Sequence, residues 1–340
     1  MKILIIQLRR LGDVLLTTPV LPYLKKVFPE AEIDFLTEPM GVELLENNPH
    51  IHEIVVYDKS KPISEAMRIR SKGYDVVIDF LNNPRSTFIS ALSGSPQRVA
   101  YKKSFRSLFY SHAVINPHKP EYASLQKLRL IKEWLKKIGI EVPPASIVTP
   151  EIYLSDEDLK FAEQWKKAEG LINKDYVVLV PIHRHPIRQW RVEGYREVGL
   201  GLVKQGFRVY LSAAPDEISK VEEVRGAVDS PLKLLPQTSL RKCAAIFKGS
   251  RLVVANDSGA MHLAVSVKSP TVAIYGPTNP SHLTPPLDEN GTVDIHHKAV
   301  TATGLSCLGC ELKDCPIGHL CMKYLSEKEV LAECLKVLSS

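Results

Sequence analysis

The pattern that most restricts this chain is an alternation, run through twice, of short β-branched apolar stretches with amphipathic helical segments. Parallel strands each need a crossover before the next strand, so such alternation predicts parallel α/β architecture. In the first run Ile3–Leu8, Glu32–Leu36, Ile54–Tyr57 and Val76–Phe80 read as strands, with helices over Thr18–Phe28 and Ser124–Ile138. Residues 141–150 are Pro-rich and uncharged after Glu141, the composition of a linker. The second run places strands at Tyr176–Val180, Arg208–Ser212, Leu252–Ala255 and Thr271–Tyr275. Its helices fall at Val192–Gln205, Ser239–Lys248 and Ser258–Val267. Ser326 and Glu329 make a capping box for a last helix to about Leu338. Two doubly wound halves are expected, with a cleft between the carboxyl ends of their strands.

Composition narrows the class. At 340 residues the chain is long for one core and suits two domains. Its 44% apolar and 24% charged content excludes disorder, collagen and a disulfide-dense miniprotein. No stretch approaches the ~18 to 20 apolar residues of a membrane span. The N-terminal apolar run is cut short by Arg9 and Arg10, which argues against a secretory leader and for a cytoplasmic protein. Net charge is +6, and residues 1–150 carry all of it: 21 Lys and Arg against 15 Asp and Glu, with 23 of each in the rest. The first half is expected to meet an anion, or to be a mildly basic solvated surface.

Four constellations carry possible chemistry. Gln7-Leu8-Arg9-Arg10-Leu11-Gly12-Asp13 follows the first strand; Gly12 suits a sharp turn, and Asp13 is placed to take a proton from a hydroxyl. Spacing alone favours the plainer role of Asp13 as a helix cap, although Thr18-Pro19 offers a competing helix start. No GxGxxG is present, which counts against a dinucleotide site. Further on, Val253 to His262 reads as a strand, a small polar turn and a helix. The free amides of Ser258, Gly259 and Ala260 then make an anion site, with His262 one turn in. The alternative there is an Asp257 cap and a surface His.

Val180 to Trp190 holds His183, Arg184 and Arg188 beside a strand end, three candidate cations suited to a diphosphate, with Arg188 the best placed to bind two oxygens. A solvated basic loop is the alternative, and Trp190 reads as packing. Last, Cys307, Cys310, Cys315 and Cys321 form C-x2-C-x4-C-x5-C. Zinc usually takes two C-x2-C knuckles and here there is one, so buried free thiols stand ahead of structural zinc; disulfides are disfavoured in a reducing cytosol.

Leu11-Gly12-Asp13-Val14-Leu15, then Asp257-Ser258-Gly259-Ala260-Met261-His262-Leu263-Ala264, then Tyr275-Gly276-Pro277-Thr278 resemble glycosyltransferase family 9, the ADP-heptose:lipopolysaccharide heptosyltransferases. The resemblance runs nearly end to end, and many members are similar in the cysteine cluster too. It implies a GT-B fold: an acceptor-binding Rossmann-like domain over 1–150, a donor-binding one over 151–325, and a final helix, 326–340, crossing back to the first. It implies inverting transfer of heptose from ADP-L-glycero-β-D-manno-heptose without a catalytic metal or cofactor. Asp13 matches the family's general base, which overturns the capping preference. Asp257, Ser258, Gly259 and His262 match the turn that binds the donor diphosphate; Glu217 matches a ribose-binding carboxylate and Thr238 an adenine contact.

Where well-known members carry Lys before the Trp, this chain has Arg188, and their Thr pair is replaced by His183 and Arg184. The expected acceptor is an anionic glycolipid of the lipopolysaccharide inner core, met by Arg9, Arg10, Arg98, Lys102, Lys103 and Arg106. Transient contact with the cytoplasmic membrane face is expected, and no nucleic acid partner. Two other classes remain at this stage: a nucleotide-dependent oxidoreductase on the same halves, and a non-catalytic nucleotide-sugar-binding module.

Overall fold

A computed structural model describes residues 1–117, 119–171 and 175–339. The chain divides into two compact units, Met1–Tyr153 with Pro286–Thr292, and Leu154–Pro285 with Val293–Ser340.

The first unit is built on β1 (Lys2–Ile6), β2 (Glu32–Thr37), β3 (Glu53–Val56), β4 (Val76–Asp79), β5 (Gln97–Tyr101) and β6 (His112–Val114), ordered β3-β2-β1-β4-β5-β6. Every described pairing is parallel; Ile3 faces Val76 and Ile6 faces Asp79 across β1 and β4. The central strands are buried on both faces, which is why they read as unbroken apolar runs. Helix Ala123–Lys137 buries Leu128, Ile131, Trp134 and Leu135.

The second unit repeats the winding with β7 (Tyr176–Val180), β8 (Arg208–Leu211), β9 (Leu232–Leu234), β10 (Leu252–Asn256), β11 (Thr271–Ile274) and β12 (His297–Val300), ordered β12-β11-β10-β7-β8-β9. All of these pairings are parallel too. In each sheet the winding reverses beside its first strand, between β1 and β4 and between β7 and β10. Those switch points open a crevice at the carboxyl ends of the strands.

Two expectations about domain limits need correction. Residues 286–292 belong to the first unit, because the Glu289 carboxylate takes the Lys132 ammonium and the Ala145 N–H at 2.9 Å. The last helix, Glu327–Ser339, packs within the second unit: Val330, Cys334, Val337 and Leu338 join that unit's core.

Candidate active site

After β1 the Gln7 N–H still bonds the Leu36 carbonyl at 3.1 Å, and the chain then leaves the sheet for a short helix, Leu11–Leu15. Asp13 is the third residue of that helix and is exposed. It is the N-cap neither of this helix, where that residue is Arg10, nor of the next, where it is Pro19, but it forms the carboxylate half of a capping box on the first. Its Oδ2 accepts the Arg10 N–H at 3.2 Å. Gly12 lies inside the helix, not at a turn.

Beneath this loop sits a buried ammonium that the sequence reading missed. Lys127 Nζ donates to Gln7 Oε1 at 2.9 Å, and Gln7 Nε2 donates to the Arg9 carbonyl at 2.7 Å. Lys127 also lies 5.0 Å from the centre of the Phe80 ring. Burial pushes its pKa down to about 8, against the opposing pull of Asp13 and Asp79. Asp79, at the end of β4, accepts the Leu81 and Asn82 amides at 2.9 and 2.8 Å and the Tyr110 hydroxyl at 2.6 Å. Burial raises its pKa, and those hydrogen bonds oppose the rise. The signal in the sequence was a lysine on the apolar stripe of a helix, in line with Ile131 and Trp134.

The expected acceptor contacts separate into two kinds. Arg9 and Arg10 are exposed beside Asp13, as are Lys102 and Lys103 after β5. Arg98 is committed elsewhere: its guanidinium donates to the carbonyls of Ser95 at 2.5 Å and Phe109 at 2.9 Å. Arg106 is half-buried, 5.9 Å from the Phe105 ring centre. Two of the five Arg98 N–H donors thus brace the β5–β6 connection.

In the second unit every expected donor residue follows the carboxyl end of a strand. Asn256, buried at the end of β10, clamps the loop after β7 at both ends. Its Oδ1 accepts the Trp190 N–H and its Nδ2 donates to the Pro181 carbonyl, both at 2.9 Å. Trp190 is fully buried, edge-on to Tyr195 at 5.3 Å, with its Nε1 bonded to the Leu325 carbonyl at 3.1 Å. It packs and does not stack on a ligand.

Within that clamped loop Arg188 Nη1 donates to Asp257 Oδ2 at 3.1 Å, and Nη2 lies 3.7 Å from Glu311 Oε2. Asp257 is thus paired with Arg188, and the N-cap of the following helix is Ser258. Burial lowers the His183 pKa, outweighing the pull of the His185 carbonyl and Asp257, and its Nδ1 lies 2.8 Å from the His185 N–H nitrogen and 3.0 Å from the His185 carbonyl. Arg184 is exposed.

Ser258 is the N-cap of helix Gly259–Ser266, so the amides of Gly259, Ala260 and Met261 have no intrahelical acceptor. His262 is buried on the first turn. The hydroxyls of Ser258 and Thr278, in the turns after β10 and β11, are buried without a hydrogen-bond partner among the described residues. Orphaned polar groups beside a helix N-terminus and a guanidinium suit an anionic ligand. Glu217, after β8, has Oε2 on the Ala214 N–H at 3.1 Å; Thr238, after β9, donates to the Ser239 carbonyl at 3.2 Å.

The four clustered cysteines are free thiols in the connection after β12. Burial raises the Cys321 pKa, as do its three neighbours. Tetrahedral zinc needs its sulfurs about 3.8 Å apart. Among the described residues the only metal-capable trio within 4.8 Å is Asp34, His52 and Glu53, so no three of the four thiols lie that close together. That trio is spent on Tyr74 and Lys72. The loop instead serves the donor side: Gly309 N–H bonds the Gly276 carbonyl at 3.1 Å, Glu311 N–H bonds Pro277 at 2.7 Å, and Glu311 flanks Arg188.

The sequence model of glycosyltransferase family 9 (heptosyltransferase) matches residues 64–303. The chain is a glycosyltransferase, and it belongs to that family. Lipopolysaccharide heptosyltransferase 3 of Escherichia coli K12 is 28% identical over 297 residues, spanning 79% of this chain and 80% of its own length. Lipooligosaccharide heptosyltransferase 2 of Haemophilus influenzae is 25% identical over 310 residues, spanning 86% and 88%. Among solved structures, the family 9 glycosyl transferase of Veillonella parvula has a TM-score of 0.82 at 23% identity, covering 99% of this chain and 97% of its own. The E. coli heptosyltransferase WaaC with ADP has a TM-score of 0.72 at 20% identity over the whole of both chains. The architecture is the expected GT-B one, with two Rossmann-like units.

Proposed function

We propose that this enzyme transfers heptose from ADP-L-glycero-β-D-manno-heptose, with inversion, to an anionic sugar of the lipopolysaccharide inner core. The observation that carries the reading is the β7–β10 switch point. Arg188 is aimed there by a buried carboxylate, beside the free amides of helix Gly259–Ser266 and two orphaned hydroxyls. This is a cradle for a diphosphate that gains charge as it leaves.

In the reaction Asp13 takes the proton of the acceptor hydroxyl, whose oxygen attacks the anomeric carbon from the face opposite the diphosphate. The anomeric C–O bond breaks and ADP departs. Arg188, the helix amides and His262 meet its growing charge, each worth ~3 to 4 kcal/mol when well placed. Arg9 and Arg10 sit beside Asp13 to neutralise the acceptor's own anionic groups. Glu217 and Thr238 take the ribose and adenine. Every step uses protein groups alone, and no metal carries charge.

A thermal-shift panel of ADP, UDP, GDP, CMP and NAD tests the donor assignment, because a ligand bound only by the folded state raises its melting temperature. ADP alone is expected to do so, with the shift lost in His262→Ala. Stabilisation by UDP or GDP would discard heptose but keep transfer; stabilisation by NAD alone would discard transfer. Asp13→Ala is expected to keep the ADP shift and lose turnover, and unchanged turnover would remove Asp13 as the base.

A further inference from the structure

One face of the first unit turns several large apolar side chains to solvent. Helix Pro84–Leu92 buries Ser86, Thr87, Ile89 and Ser90 and leaves Phe88 and Leu92 exposed. Helix Pro62–Ser71, packed beside it, buries Glu65, Ala66 and Ile69 and exposes Ile63 and Met67. Also against helix Pro84–Leu92 lies the short 3-10 segment Ser104–Phe109. It leaves Phe105 67% and Leu108 86% exposed, with Phe109 beside them. Scattered exposed apolar residues are ordinary, but three adjacent elements turning large side chains outward are not.

The same stretch concentrates the charge. Residues 59–109 hold ten Lys and Arg against three acids, a net +7 that exceeds the +6 of the whole chain. Two of those acids, Glu65 and Asp79, are buried, so the surface that remains is cationic. Lys102 and Lys103 are exposed immediately before Phe105. Arg98 ties the Phe109 carbonyl to the strand, so the apolar tip is held out on a braced connection.

We propose that this face docks on a bilayer containing anionic phospholipid, with Phe105 and Leu108 entering the boundary between headgroups and acyl chains. Lys102 and Lys103 lie at headgroup level. A protein partner would have to supply both an apolar floor and a surplus of carboxylates; an anionic bilayer offers an apolar interior under anionic phosphates everywhere. No helix among the described residues is long and apolar enough to cross a membrane, so the contact is peripheral. The inference concerns a surface, and it stands or falls separately from the donor and the reaction.

Vesicle co-sedimentation with the full chain tests it, using phosphatidylcholine with and without phosphatidylglycerol. The protein is expected to sediment with the anionic vesicles and to be released by salt. Phe105→Ser with Leu108→Ser, both at exposed positions, should weaken binding by roughly tenfold or more at an unchanged melting temperature. Lys102→Glu with Lys103→Glu should abolish the preference for phosphatidylglycerol. The proposal is overturned if the unaltered chain ignores anionic vesicles, or if the Ser variant binds them equally well. It is also overturned if the apolar face proves to join two copies, seen as a dimer in solution that the Ser variant dissociates.

Discussion

Replacing Lys127 by Met separates what the buried ammonium costs from what it does. A fall in pKa from 10.5 to about 8, at ~1.4 kcal/mol per unit, means that keeping the folded side chain charged costs about 3 kcal/mol. Between these two values the unfolded chain binds a proton that the folded chain has released. This lysine's contribution to stability therefore rises with pH across that window, and below pH 8 its full cost is present. Met keeps most of the stem's packing and removes the charge, but leaves Gln7 Oε1 without its donor, a loss of ~1 to 3 kcal/mol. At pH 7 the two terms nearly cancel, so the variant should melt within a few degrees of the unaltered chain. Denaturant titrations at pH 7 and pH 10.5 should then show the unaltered chain gaining about 3 kcal/mol on the variant. Turnover should fall roughly tenfold or more, because Gln7 no longer pins the Arg9 carbonyl and the turn that carries Asp13 is freed. Full activity in the variant, or a stability gap that does not move with pH, would refute this account.

Substitutions at three further positions follow from the second unit. Asn256→Ala strips the partners from the Trp190 N–H and the Pro181 carbonyl, both buried; it should cost ~2 to 4 kcal/mol in chemical denaturation and abolish the thermal shift given by ADP. Arg188→Ala should lower kcat by about two orders of magnitude with a smaller change in KM, and Arg188→Lys should recover part of the loss, since one ammonium can meet either Asp257 or the diphosphate. Gly194→Ala would place a methyl 2.6 Å from the Trp190 ring and should destabilise by ~1 to 3 kcal/mol, visible as a lower melting temperature.

What could be read from the sequence follows from how locally each feature is determined. Central strands such as β7 and β10 are buried on both faces, so their apolar runs sit where expected to within a residue or two. Edge strands β6, β9 and β12 are three or four residues long and partly exposed, and no run marks them. Helix Asp156–Ala168 went unassigned although Ser155 and Asp158 form a capping box. The motif residues were found because each stands just after a strand. Their partners were not, because the contacts join distant parts of the chain: Lys127 to Gln7 across 120 residues, Asn256 to Pro181 across 75, Arg188 to Asp257 across 69. The loop's composition made His183 a candidate cation and left a cap as the alternative role for Asp257. The burial that lowers the His183 pKa and the guanidinium on Asp257 Oδ2 belong to the folded neighbourhood and to no local spacing.

The two units share one winding, and their chemistry diverges only in what each switch point holds. At the first, a lysine costing about 3 kcal/mol is kept under the turn that presents Asp13. At the second, a nearly inaccessible carboxylate is kept against Arg188. Neither burial is explained by stability, since buried charges of this kind are often matched or bettered by apolar side chains. Both make sense if the group above must be held before substrate arrives. An unbraced arginine at a strand end keeps its rotamer freedom, up to ~2 kcal/mol, and would lose it only on binding. Fixed in advance by Asp257, with Asn256 locking the loop that carries it, Arg188 would, in the proposed reaction, give that energy to the departing charge instead.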